Sequence, residues 1–236
     1  MRAASALHPW LRVAAAAIGL AVISLVSDVT STAQLSGDAD RVLVVRSTIS
    51  RLVNAGTVWA GLAVWSGWLL RRPTAAFGAA IGACLLALGV HYGAGQLLGL
   101  FGAGAFVNNA HWFAIAVIVG GPLGLLGSVA RRRDLWGVTA RLTVPMGAVV
   151  EPLYTGAFTS PAFLPWTVWV SGYISGAVLL AAGIAGAIAV LVDARRRHLA
   201  GSRRINPHTP NREVPATSTT PASSHTHRGV DVPDER

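Results

Sequence analysis

The sequence predicts an all-α protein: a polytopic bundle of about six transmembrane helices followed by a disordered C-terminal tail. Three observations carry this expectation. Hydrophobic residues make up 53% of the 236 and charged residues only 12%, where a soluble domain carries about a quarter charged. The apolar residues gather in stretches of roughly 20, the length that a bilayer core about 30 Å thick requires. Clusters of arginine separate the stretches and fall at alternate ends.

After a short N-terminus (1–9), the first span covers about 10–27, with Arg2 and Arg12 near its start. It reads as an uncleaved anchor. The alternative is a signal peptide cut near Ser31-Thr32-Ala33, a small-residue site of the usual kind. A polar segment at 28–47 holds Asp28, Gly37, Asp38 and Asp40. The second span, about 48–70, stops at Arg71-Arg72, and Pro73 opens the third, about 73–98. A Gly-rich, uncharged connection leads to the fourth span, about 109–130, which ends at Arg131-Arg132-Arg133. The fifth, about 136–158, is the least apolar. A loop with Pro161 and Pro165 precedes the sixth, about 166–192, which ends at Arg195-Arg196-Arg197.

The arginines set the orientation. With both termini in the cytoplasm of a cell-membrane protein, the inner side receives Arg2, Arg12, Arg71, Arg72, Arg131 to Arg133 and the basic tail. The outer side receives Arg41, Arg46 and Arg51, the bias expected of short loops. Trp10, Trp68 and Trp136 then fall at the inner interface, with Trp112 and Trp166 at the outer one. From about 194 the composition turns to Arg and then to Ser, Thr, Pro and His. Residues 205–236 hold too little apolar surface to offset the entropy of ordering. Arg195, Arg196, Arg197, Arg203 and Arg204 form a juxtamembrane cluster suited to anionic lipid headgroups. The net charge of +9 is accounted for by helix ends and tail, so nucleic acid is not an expected partner.

Paired glycines four residues apart occur at Gly78 and Gly82, Gly89 and Gly93, Gly120 and Gly124, and Gly172 and Gly176. Each pair lies on one helix face and admits a close neighbour, either within the bundle or across a homo-oligomer. Pro122 and Pro145 lie inside spans, each removing a helical hydrogen bond. The lone Cys84 reads as a small packing residue.

Glu151 is the residue most in need of explanation, because a carboxyl group at depth is costly without a partner. Arg141 is poorly placed to supply one. Ten residues along a helix amount to about 15 Å of rise, so Arg141 is better suited to reach the inner interface. Counting from the outer helix ends places Asn54, His91, Tyr92, Gln96, Asn108, Asn109, His111, Glu151, Tyr154 and Tyr173 in one half of the bundle. They predict an outward-facing polar pocket with Glu151 near its floor. The plainer alternative is that these groups satisfy one another in pairs or touch the interface.

No phosphate-binding loop, zinc helix or nucleophile elbow occurs, and no metal or cofactor is implied; His225 and His227 lie in the tail as solvated residues. The sequence therefore suggests a membrane protein without recognisable catalytic machinery. The alternatives are a transporter or channel for a small polar solute, ion or proton, and a lipid-modifying enzyme.

Val53-Asn54-Ala55 leading to Trp59, Arg71-Arg72, His91-Tyr92, Trp112, Gly121-Pro122 with Gly124 and Gly127, and Glu151 form a pattern along about half the chain. It resembles an uncharacterised family of actinobacterial multi-span membrane proteins, in which Tyr more often stands at the position of His91. The resemblance implies the architecture and carries no mechanism.

Overall fold

A computed structural model describes residues 2–29, 40–160 and 163–204, with side chains between residues 7 and 199. Ser31 to Ala33, Gly37, Asp38, Pro161, the tail from 205, and the side chains of Arg203 and Arg204 lie outside the described residues. The unit Met1–His198 carries the helices and the site; the second, Leu199–Arg236, is described only to Arg204. All the regular structure among the described residues is helical. Four helical stretches are long and apolar enough to cross a membrane: Leu7–Asp28, Pro73–Leu97, Ala110–Val129 and Trp166–Leu199.

Helix α1 (Arg2–Asp28) buries Val13, Ala17, Ala21, Ser24 and Leu25, one stripe at helical spacing. Small side chains let it lie close to α4 (Pro73–Leu97), where Ala17, Ala21, Ala83, Ala87 and Leu62 form a shared core. Pro73 stands at the first helical position of α4, where its missing N–H costs nothing.

The expected second span is not one helix. Residues 40–47, read as part of a polar segment, and 48–53, read as the start of the second span, together form α2 (Asp40–Val53), with Asp40 in its first turn and Arg51 in its last. That placement suits the helix dipole, and Val44 and Thr48 are buried where α2 meets α1. The chain breaks at Asn54–Ala55, where Ala55 is extended (ψ 133°), and restarts as α3 (Gly56–Leu70). Its 15 residues rise about 22 Å, short of a bilayer core. The cause of the break is a side chain from elsewhere, described below.

Past a four-residue helix, α5 (Ala105–Asn108), α6 (Ala110–Val129) buries Ala116, Gly120, Gly121, Gly124 and Gly127. This glycine face brings its backbone against α3 and α4. A Cβ added at Gly127 would stand 1.9 Å from the Val64 carbonyl, and one at Gly124 2.4 Å from that of Ala76. The pair Gly120 and Gly124 thus packs inside the bundle, whereas Gly78 and Gly82 face open space. Arg131 donates from Nη1 to the Trp68 carbonyl at 2.6 Å and lies over the Trp68 ring.

Helix α7 (Leu135–Tyr154) starts at Asp134, whose side chain accepts from Gly137 N–H at 3.0 Å. It contacts α3 and α6 and continues through Pro145 and Pro152, as α6 does through Pro122. Helix α8 (Trp166–Arg204) sets Gly183 and Gly186 against Pro145 of α7. Arg141 Nη1 meets Asp193 Oδ2 at 3.1 Å, so Arg141 finds its partner on α8 and not in Glu151. The helix outruns the expected end at 192 by a further 12 residues, to Arg204. Residues 194–204 are rich in Ala, Arg and Leu, good helix formers, and Pro207 is the first proline after them. The C-terminal tail, read as disordered and beginning at 194, therefore opens with helix as far as Arg204.

Candidate functional site

Ala55 offers no side-chain cap to α3, so the first N–H groups of that helix need an acceptor from elsewhere. Glu151 provides it. Gly56 N–H donates to Oε1 at 2.6 Å, Thr57 N–H to Oε2 at 2.8 Å, and the Thr57 hydroxyl to Oε2 at 2.5 Å. The carboxylate of α7 is thus the N-terminal cap of α3, where the helix dipole favours negative charge. This explains both the break in the expected second span and how an acid is accommodated there.

A second polar group lies beside the break. Ser50 Oγ and Asn54 Nδ2 donate to Asp28 Oδ1 at 2.6 Å and 3.1 Å. The buried Ser24 hydroxyl donates to Asn54 Oδ1 at 2.6 Å and lies 3.1 Å from His91 Nδ1. His91 Nε2 faces Asp28 Oδ2 at 3.8 Å. The four residues Asp28, Asn54, Ser24 and His91 close a ring. Its parts come from α1 (Ser24 and Asp28 one turn apart), from the end of α2 (Ser50 and Asn54 one turn apart) and from α4.

Both groups open on one cavity of about 590 Å³, within the size range of small-molecule sites. Its apolar wall includes Trp59, Leu88, Trp112, Ile115, Val119 and Leu123, and its polar lining includes Asp28, Asn54, His91, Tyr92, Glu151 and Tyr154. Trp112, Ile115 and Val119 are also between 43% and 48% exposed, so the cavity opens sideways on the helix surface. In a chain of net charge +9, this lining holds two carboxylates and no arginine. Among the described residues no cluster of His, Cys, Asp and Glu suits a metal ion.

Of the sequence-predicted pocket residues, Glu151, Asn54, His91, Tyr92 and Tyr154 line this cavity. Four others do not. Gln96 turns to its own connection, donating to the Gly102 and Ala103 carbonyls. Asn109 donates to the Ala105 carbonyl and steadies α5. His111 is exposed and lies tilted against the Trp112 ring. Tyr173 packs against Phe158 and Trp169. Depth along a helix was common to all of these residues; azimuth separates them. Sequence reading missed Ser24, Asp28 and Thr57 as site residues. The available signal was the four-residue spacing of Ser24 and Asp28 at the end of an apolar helix.

Ser24, His91 and Asp28 are the residue types of a hydrolytic triad, but the arrangement cannot work as one. Ser24 has no exposed surface, its hydroxyl proton is engaged by Asn54, and it does not line the cavity. Nucleophilic attack on a substrate is excluded by access.

Compared with protein families, curated proteins and solved structures, the chain matches none. Its functional reading therefore stands on the site alone.

Proposed function

We propose that this protein crosses the cell membrane six times, both termini cytoplasmic, and binds a cationic amphiphile in the cavity flanked by α6 and α7. The observation that carries the ligand class is the lining: an apolar wall open to the side, with two carboxylates, a histidine and no arginine at its polar end. A hydrocarbon body fits against Ile115, Val119 and Leu123. A positive head is favoured by Asp28 and Glu151 and by the aromatic faces of Trp59, Tyr92 and Trp112. The lateral opening would face acyl chains, so the ligand can arrive through the bilayer.

Six crossings are supported by the way α3 and α7 are accommodated. The last turns of α2 add length to α3. Arg141 and Glu151, the charges within α7, are each partnered by another helix, which lowers their cost at depth. The arginine clusters support cytoplasmic termini. Arg195 to Arg197, of which Arg197 also pairs with Asp193 at 2.8 Å, would suit anionic headgroups, and the open Gly78 and Gly82 face on α4 would suit a second copy of the chain.

The test is thermal stability of the full chain in a non-ionic detergent with C12 ligands differing only in head group. Dodecyltrimethylammonium should raise the melting temperature in a saturable manner, since a ligand bound only to the native state stabilises it. Dodecanoate should not. Equal shifts with both, or with neither, would remove the cationic reading.

One feature favours transport over simple binding. The α2–α3 break is a discontinuous helix at the site, an element found in transporters; its positive end is occupied by Glu151, so the cation meets the carboxylates and not the helix end. Uptake of the same cation into proteoliposomes would distinguish the two.

A further inference from the structure

The ring at the polar end of the cavity satisfies its hydrogen bonds with a neutral His91 and leaves one position, His91 Nε2, able to take a further proton beside Asp28. The Asn54 amide is oriented by Asp28: its Nδ2 donates to Oδ1, which turns its Oδ1 toward Ser24. The Ser24 hydroxyl spends its proton on that oxygen. The 3.1 Å contact between Ser24 Oγ and His91 Nδ1 is therefore a bond in which Nδ1–H donates. His91 then presents Nε2 to Asp28 Oδ2 at 3.8 Å. In a neutral ring with its proton on Nδ1, that nitrogen carries a lone pair aimed at a carboxylate, a repulsive arrangement. A proton on Nε2 turns it into an ion pair.

The surroundings leave this proton to Asp28 and His91. From α4 itself, Tyr92 meets the His91 ring edge-on at 4.9 Å, and Phe101 from the following connection lies at 5.3 Å. From α1 come Ser24, Asp28 and the backbone carbonyl of Ala21, which also accepts from the His91 ring, and from the end of α2 the uncharged Asn54. Arg46 of α2 is directed at the Ser27 carbonyl. Glu151 and Tyr154 reach the same cavity from α7, the former engaged by α3. Among the described residues Asp28 is the one charged group at ion-pair distance from His91. Both residues line the cavity, so the proton sits where a ligand's head would lie.

We propose that Asp28 and His91 together hold one exchangeable proton at the polar end of the cavity, and that a bound cationic head takes its place. The inference rests on the amphiphile reading above. On binding, the proton leaves His91 Nε2 for water, the imidazole stays neutral with Nδ1–H on Ser24, and the Asp28 carboxylate pairs with the cation. By linkage, whatever the cation does to the proton the proton does to the cation. Affinity for the cation therefore falls as pH falls, approaching about tenfold per pH unit where the proton is fully held.

The experiment is calorimetric titration of the detergent-solubilised full chain with dodecyltrimethylammonium, which has no titratable proton of its own. It is run from about pH 5.5 to 7.5, above the range in which an ordinary carboxylate alone holds a proton. Buffers of differing ionisation enthalpy count the protons released. The wild-type chain should release up to about one proton per cation bound. His91→Gln should bind the cation with no release and little pH dependence. Asp28→Asn should bind weakly, also without release, and each variant is first shown to melt cooperatively. Binding to the wild type without proton release, or equal release from His91→Gln, would overturn this inference and leave the amphiphile reading intact. A wild-type chain that ignores the cation would overturn both.

Discussion

Replacing Glu151 with alanine removes every acceptor that the start of α3 has from α7. Two backbone N–H groups, those of Gly56 and Thr57, lose bonds of 2.6 and 2.8 Å, and the Thr57 hydroxyl loses a third. Loss of a helix N-cap costs roughly 0.5–2 kcal/mol, and a buried donor left unpaired costs about 1–3 kcal/mol. Gly56 is exposed and Thr57 buried, so we expect about 2–4 kcal/mol in total, with Thr57 N–H the larger share. Glu151→Gln keeps one acceptor oxygen and turns an amide NH2 toward the other donor, so about half the loss is expected, roughly 1–2 kcal/mol. Thr57→Val removes the hydroxyl alone and should cost about 1 kcal/mol. The two residues touch, so the double variant should be less destabilised than the sum by about 1 kcal/mol. Unfolding by SDS in mixed micelles measures all four chains. Glu151→Ala within about 0.5 kcal/mol of wild type, or strict additivity with Thr57→Val, would refute the capping role.

Two further outcomes follow from the packing and the loop. Gly127→Ala should fail to fold or lose more than about 3 kcal/mol, because its Cβ would stand 1.9 Å from the Val64 carbonyl. Gly82→Ala, with nothing within 4 Å, should be neutral or stabilised by up to about 1 kcal/mol; matched detergent melts of the two variants check this. Asp134, in the loop before α7, has its carboxyl held below the ordinary value, first by the Gly137 N–H and then by Arg132. A lowered folded-state pKa gives stability that is present above the ordinary value of 3.8 and lost as pH falls through the folded one. Asp134→Ala should accordingly be less stable at neutral pH and show a shallower decline below about pH 4 in acid unfolding.

The helical fold was legible in the sequence because length and apolarity are one-dimensional properties. The stretches beginning near Trp10, Pro73, Asn109 and Trp166 correspond to helices long and apolar enough to cross a membrane. The break at Asn54–Ala55 was not legible. Its partner, Glu151, is 95 residues away, and no local propensity announces a cap supplied by another helix. The same limit applied to the site. Sequence depth brought forward Asn54, His91, Tyr92, Glu151 and Tyr154, all of which line the cavity. It brought forward Gln96 and Asn109 on equal terms, although their amides serve nearby backbone carbonyls. Asp28 was assigned to a polar segment because it follows the apolar run, yet α1 includes it as its last residue. One helical turn separates it from Ser24, and that turn builds half of the ring.

The most direct measurement uses the chain's one cysteine. Cys84 lines the cavity and is otherwise buried, so an apolar thiol reagent reaches it through the space assigned to the amphiphile. The rate of Cys84 modification is followed in the detergent-solubilised protein as dodecyltrimethylammonium is added. A cation seated in the cavity predicts saturable protection, on the order of tenfold at a tenfold excess over its dissociation constant, with no comparable effect from dodecanoate. A modification rate indifferent to the cation would contradict the assignment of this cavity as its site.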